Sequence, residues 1–191
     1  GEITDLNIRN AIATYIRDLT SFDSKFDRNM QGLEESLTSE EIKGFNLFMG
    51  KAACATCHFP PAFNGTVPPR YNETEFEHLG MTVTADFDNP QLDTDVGMYE
   101  PYKVEERRGF FKTSTVRNAA ITAPYMHNGA LASLEEVMSF YNFGGGVGMG
   151  LDVHYQTLPP DSLDLSEQEI EAIIAFMNTL TDQRYENSLT D

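Results

Sequence analysis

The chain has 191 residues, with 13 Lys and Arg against 30 Asp and Glu, a net charge of −17 with His neutral. That balance excludes nucleic-acid binding by phosphate neutralisation and docking on an anionic membrane surface. With 40% hydrophobic and 11% aromatic residues, a core can form and wholesale disorder is excluded, at a length suited to one domain or to one domain plus a piece of another. No run approaches the roughly 20 apolar residues of a membrane-crossing helix. Gly1-Glu2 opens directly on polar sequence, without a basic and then apolar leader, so the chain is expected to continue upstream.

Between Thr4 and Leu19, the residues Leu6, Ile8, Ala11, Ile12, Tyr15, Ile16 and Leu19 recur at helical spacing and predict a first amphipathic helix, ended by a turn at Ser21-Phe22-Asp23-Ser24. Thr38-Ser39-Glu40-Glu41 is a capping box, in which hydroxyl and carboxylate satisfy each other's orphan backbone N–H groups. The second helix that it opens has Ile42, Phe45 and Phe48 inward with a small Gly44, and runs straight into Cys54-Ala55-Thr56-Cys57-His58.

From Phe59 to about Gly109, prolines, Asn and Asp without sustained periodicity predict a long irregular loop with a short strand at Met81–Thr84. Such a length without regular structure needs a function or a large group to wrap around. Two more capping boxes follow, Ser133-Leu134-Glu135-Glu136 and Ser166-Glu167-Gln168-Glu169. The first predicts a short helix with Leu134, Val137, Met138 and Tyr141 on one side, closed by Gly144-Gly145-Gly146. The second predicts a terminal helix with Ile170, Ile173, Ile174, Met177 and Leu180 inward and a fraying charged tail. The fold class is all-α with long irregular loops.

Cys54 and Cys57 are the only cysteines, so a disulfide framework spread over the fold is excluded. Cys-x-x-Cys-His is the attachment signal for c-type haem: two thiols a helical turn apart reach the two vinyl groups of one porphyrin, and the adjoining imidazole meets the iron. Two other readings compete. A redox dithiol needs a preceding strand and a βαβ context, neither of which is visible, and a structural zinc site needs a further ligand, usually a second Cys pair. The helix entering the motif and the terminal helix form the pair expected to cross at the haem edge, with Gly44 allowing close approach.

Further motifs frame that site: Ala11-x3-Tyr15-x3-Leu19 with Ser24-x-Phe26-Asp27; Gly44-x3-Phe48; Phe111-Lys112-Thr113-Ser114-Thr115-Val116-Arg117-Asn118; Thr122-Ala123-Pro124-Tyr125-Met126-His127-Asn128-Gly129; and Leu134-Glu135-Glu136-Val137 ahead of Phe140-Tyr141-Asn142-x-Gly144-Gly145. In this combination the sequence resembles the bacterial di-haem cytochrome c peroxidases and their MauG-like relatives. The resemblance implies a cytochrome c-like haem domain over residues 36–185, a helix and linker from the end of the N-terminal domain over 1–35, and a tail at 186–191. The family's peroxide-reducing haem belongs to its N-terminal domain, whose own Cys-x-x-Cys-His would lie upstream of Gly1. No catalytic residue for peroxide is therefore expected in this chain, and any inter-haem Trp must come from elsewhere, because the chain has none.

The implied role is that of the electron-transfer haem c domain of an oxidoreductase acting in the periplasm. It would exchange electrons with the N-terminal haem domain of the same protein and with a donor such as a small cytochrome or cupredoxin. The acidic surface suits a basic partner, attracted by long-range steering. The alternative is a stand-alone mono-haem electron carrier, which lacks a second Cys-x-x-Cys-His in the parent reading frame.

His58 is the proximal iron ligand by the motif itself. For the sixth position the composition offers eight Met, three other His and eight Tyr. Fourteen residues after His127 the family places a Met in classical peroxidases and a Tyr in MauG-like members; here the residue is Tyr141. On helical spacing alone Tyr141 reads as a core residue, and Met126, Met138 and Met98 are the other candidates. The resemblance makes His127 a haem-pocket residue. Arg117 suits either a bidentate pair with a haem propionate or a surface ion pair. The resemblance also implies a calcium ion held partly by Thr122 and the Pro124 carbonyl, with further ligands outside this chain. Asp86, Asp88, Asp93 and Asp95 lack the glycine and terminal Glu of an EF-hand and read as a solvated acidic loop, while His78 and His154 read as surface residues.

Overall fold

The computed structural model describes residues 3–33 and 36–186, so most of the expected tail lies outside the described residues. The first helix, α1 (Asp5–Asp18), starts where the Thr4 hydroxyl accepts the Asn7 N–H, and it buries none of its residues. Its apolar stripe, Leu6, Ile8, Ile12, Tyr15 and Ile16, is exposed throughout. A helix this amphipathic gains its stability by covering such a stripe.

A short helix that periodicity did not predict follows, α2 (Lys25–Met30), opened by a capping box between Ser24 and Asp27. Asp takes the place of the usual Glu in the box. Phe26 packs its ring 5.5–5.6 Å from Phe45, Phe63 and Phe176. Residues 21–30 thus belong to the same core as the chain beyond residue 36, whereas α1 does not.

The expected capping box starts α3 (Ser39–Met49): Glu41 N–H donates to the Thr38 hydroxyl at 3.2 Å, and Thr38 N–H to the Glu41 carboxylate at 2.7 Å. After it come β1 (Phe76–Glu77), α4 (Tyr99–Tyr102), β2 (Phe111–Lys112), α5 (Leu134–Asn142), α6 (Gly145–Gly148), α7 (Glu167–Asn178) and α8 (Gln183–Glu186). Helices α3 and α7 cross at Gly44, where a Cβ would overlap the Ala172 carbonyl oxygen and come within 2.9 Å of the Phe176 Cβ. Only glycine allows that approach. Around the crossing, Phe26, Phe45, Phe48, Phe63 and Phe176 pack mostly edge to face, the favoured arrangement for aromatic rings.

The fold is helix-rich but not purely helical. β1 and β2 pair antiparallel, Phe76 opposite Lys112 and Glu77 opposite Phe111, and the expected strand at Met81–Thr84 reduces to a single bridge between Thr82 and Leu92. The box at Ser166 forms in full and starts α7. The one at Ser133 forms by half: the Ser133 hydroxyl accepts the Glu136 N–H, while the Glu136 carboxylate accepts from Ala132 instead of Ser133.

Candidate functional site

Downstream of α3 the chain turns sharply through Ala53, in the left-handed region at φ 53°, into a 3₁₀ turn at Cys54–Thr56. The His58 N–H closes the turn onto the Cys54 carbonyl at 2.9 Å. This compact turn presents Cys54, Cys57 and His58 to one cavity of about 760 Å³, within the roughly 300–1,000 Å³ range of cofactor pockets. Its walls come from every part of the core: Phe48 of α3, Phe111 of β2, Val137, Met138 and Tyr141 of α5, and Met177 of α7.

The His58 Nδ1 lies 3.1 Å from the Ser114 carbonyl, which can only accept, so the proton sits on Nδ1 and Nε2 keeps its lone pair. Burial lowers the pKa of this imidazole, against the pull of the Phe63 and Ser114 carbonyls. The shift favours the neutral imidazole, the form that ligates a metal.

Burial pushes the Cys54 thiol up to about 12. Burial, with Glu77 and Glu75 nearby, takes Cys57 to about 11. A redox dithiol requires the opposite, a stabilised thiolate, and the two cysteines are not bonded to each other. Zinc fares no better. Among the described residues, the one group of His, Cys, Asp or Glu donors close enough to share an ion is Cys57 with Glu75 and Glu77, which leaves Cys54 and His58 out. Half-buried, protonated thiols beside an imidazole whose burial disfavours its charge, on an apolar cavity, fit a thioether-bound haem.

Tyr141 lines the same cavity. Burial, reinforced by Cys54, Cys57 and Glu77, raises the pKa of its phenol well above the usual value, and its hydroxyl has no hydrogen-bond partner among the described residues. Met138 and Met126 also line the cavity, whereas Met98 is buried outside it. His127 lies flat on Phe111, ring centroids 3.5 Å apart, with Nε2 3.0 Å from the Asp93 carboxylate. Asp93 also accepts from the Asn128 side chain at 2.7 Å, so it is a built-in partner of the wall rather than a solvated loop acid. Thr122 and Pro124 line the cavity too, but no group of three His, Cys, Asp or Glu donors gathers beside them among the described residues.

Two further expectations change. Arg117 is not a surface residue, and it lies outside the cavity lining. It is 5% exposed, and all five of its donors are taken: by Asp27 at 2.7 and 2.8 Å, by the Ser21 carbonyl at 3.0 Å, and by the Pro61 carbonyl at 2.9 and 2.7 Å. The guanidinium fork, five N–H groups in one plane, suits a buried carboxylate framed by carbonyls. His78, read as a surface residue, lines the cavity, and its Nδ1 is buried without a partner. Its place follows from the β1–β2 pairing, which local sequence does not announce. His154 is exposed, as expected.

Known proteins resemble this chain in sequence and fold. The chain is 37% identical over 191 residues to the cytochrome-c peroxidase IdrP1 of Pseudomonas sp. (strain SCT), a match covering 90% of this chain and 48% of that protein. It is 32% identical over 174 residues to the methylamine utilization protein MauG of Methylorubrum extorquens, covering 91% of this chain and 44% of MauG. The curated homologues of the chain are di-haem cytochrome c peroxidases and MauG, at 29–37% identity. A solved structure, that of a MauG-like protein associated with microbial copper homeostasis, superposes with a TM-score of 0.71 at 31% identity, over 85% of this chain and 49% of the other. No protein-family model matches the sequence. The chain spans about half the length of the curated relatives it matches. These homologues imply haem c, and Cys54, Cys57 and His58 are the residues that fit it.

Proposed function

We propose that this chain is the C-terminal, electron-transferring haem c domain of a di-haem peroxidase-like oxidoreductase, exchanging electrons with a peroxide-reducing haem in an upstream half. The observation that carries the reading is the convergence of Cys54, Cys57, His58 and the partnerless Tyr141 hydroxyl on one cavity. A haem bound there supplies one-electron redox chemistry at its iron.

The protein's part is to hold and shield. Cys54 and Cys57 would tether the group through thioethers, and the Ser114 carbonyl orients His58, whose Nε2 would ligate the iron. Tyr141 would be a further donor to the iron; its half-buried phenol ionises only if a cation compensates the charge, and a phenolate donor would stabilise the oxidised metal and lower the potential. Phe48, Met138 and Met177 wall out water. The exposed stripe on α1 supports a second half that covers it, which favours the two-haem enzyme over a stand-alone carrier. Periplasmic location, a small cytochrome or cupredoxin as donor, and a calcium ion at Thr122 and Pro124 belong to the same proposal.

Absorption and electron paramagnetic resonance spectra of haem-loaded protein, with and without Tyr141→Phe, test it. Changed axial ligation in the variant is expected; identical spectra would contradict the ligand assignment.

A further inference from the structure

We infer that Lys112 is the counter-ion of a haem propionate, an inference that rests on the haem reading above. Haem carries two carboxylates, and the cavity wall already holds Glu77, Asp93 and Asp95, so a bound haem concentrates negative charge there. Arg117 cannot offset it, because every donor of its guanidinium is engaged elsewhere. Among the described residues, Lys112 is the only Lys or Arg that lines the cavity.

In a chain with 30 carboxylates, the Lys112 ammonium nevertheless has no ion pair or hydrogen bond among the described residues. Lys25, Lys51 and Lys103 each pair with a glutamate at 2.7–3.0 Å, and the other Lys and Arg side chains without an ion pair lie away from the cavity. Several neutral donors of the wall are committed, whereas the Thr113 hydroxyl and the His78 Nδ1 are buried without a partner and could add neutral hydrogen bonds but no positive charge. The hydroxyls of Thr56, Thr115 and Tyr125 donate to the carbonyls of Ala53, Ala62 and Ala119, each at 2.7 Å. The backbone of Lys112 is fixed opposite Phe76 by strand pairing, while its long, exposed side chain is free to meet a carboxylate.

The test uses the full chain matured with haem through an export route, its covalent haem content first confirmed by mass. Lys112→Gln, Lys112→Arg and the control Lys103→Gln are compared by spectroelectrochemical titration and by the propionate bending band in resonance Raman spectra. Removing the cation leaves the propionate charge uncompensated and favours ferric iron, so Lys112→Gln is expected to lower the reduction potential and shift the band. Lys112→Arg restores both, and Lys103→Gln, with the same change in net charge, moves neither. A fully loaded Lys112→Gln with wild-type potential and band, or an equal shift in Lys103→Gln, would overturn the inference while leaving the haem reading intact. A wild-type chain without covalent haem would overturn both.

Discussion

Arg117 and Asp27, 90 positions apart in sequence, form a buried two-pronged ion pair with bonds of 2.7 and 2.8 Å. The pair fastens the chain entering α2 to the loop that leads into the site, and the Ser24 hydroxyl and N–H add bonds of 2.7 and 3.0 Å to the same carboxylate. Removing one partner strands a buried charge, at a cost of about 3–5 kcal/mol. Asp27→Asn is therefore expected to lower the urea midpoint by a corresponding amount. A variant within about 0.5 kcal/mol of wild type, the range of ordinary surface changes, would show that the pair is not holding the fold.

Acid should act through the same carboxylate. Burial alone would raise the pKa of Asp27, but the bonds from Arg117 and Ser24 outweigh it and hold the group below its usual value. Glu41 is held low in the same way, its burial outweighed by Lys25 and Thr38. A depressed folded pKa contributes stability that is present above the unfolded values, about 3.9 for Asp and 4.3 for Glu, and is lost as pH falls through the folded ones. Stability followed by urea unfolding should thus decline below about pH 4, with a shallower decline in Asp27→Asn. An unchanged acid limb in that variant would assign the loss to other carboxylates.

Gly44→Ala probes the helix crossing. The added methyl collides with the Ala172 backbone, which cannot swing aside as a side chain can, so a loss of at least about 1–3 kcal/mol is expected. Thermal unfolding checks it, and a stability equal to wild type would mean that α3 and α7 do not pack this closely.

The exposed face of α1 makes a two-sided prediction. Ile12→Asp with Ile16→Asp should leave the stability of this chain within about 0.5 kcal/mol of wild type, because neither side chain is buried here. In the protein extended upstream, the same pair should weaken association of the halves, read as a lower midpoint or a separate early transition. Equal behaviour in both contexts would remove the proposed cover.

The irregular stretch between Phe59 and Gly109 is expected to depend on the group it wraps. Amide hydrogen exchange should be slower there in haem-loaded than in haem-free protein, while α3 and α7 change less. Equal protection in both forms would show that the loop needs no template.

Much of the helical frame was legible because its signals are local. Thr38 with Glu41 and Ser166 with Glu169 announce α3 and α7 within four residues, and the apolar spacing that follows fixes their inner faces. Long-range partners were not legible. The two-residue strands at Phe76 and Phe111 pair across a long loop, and Arg117 pairs with Asp27 from far upstream in the chain. His78 reaches the cavity only through that pairing. Tyr141 was ambiguous for a different reason: the face of α5 that turns inward borders both the core and the cavity, so helical spacing alone cannot tell a packing ring from a ligand.

The most direct measurement is the intact mass and haemochrome spectrum of the chain produced with haem-maturation machinery, beside Cys54→Ala with Cys57→Ala. One haem bound covalently through two thioethers, absent from the double variant, is the expected result. Matured wild-type protein carrying no covalent haem would contradict the assignment of the cavity.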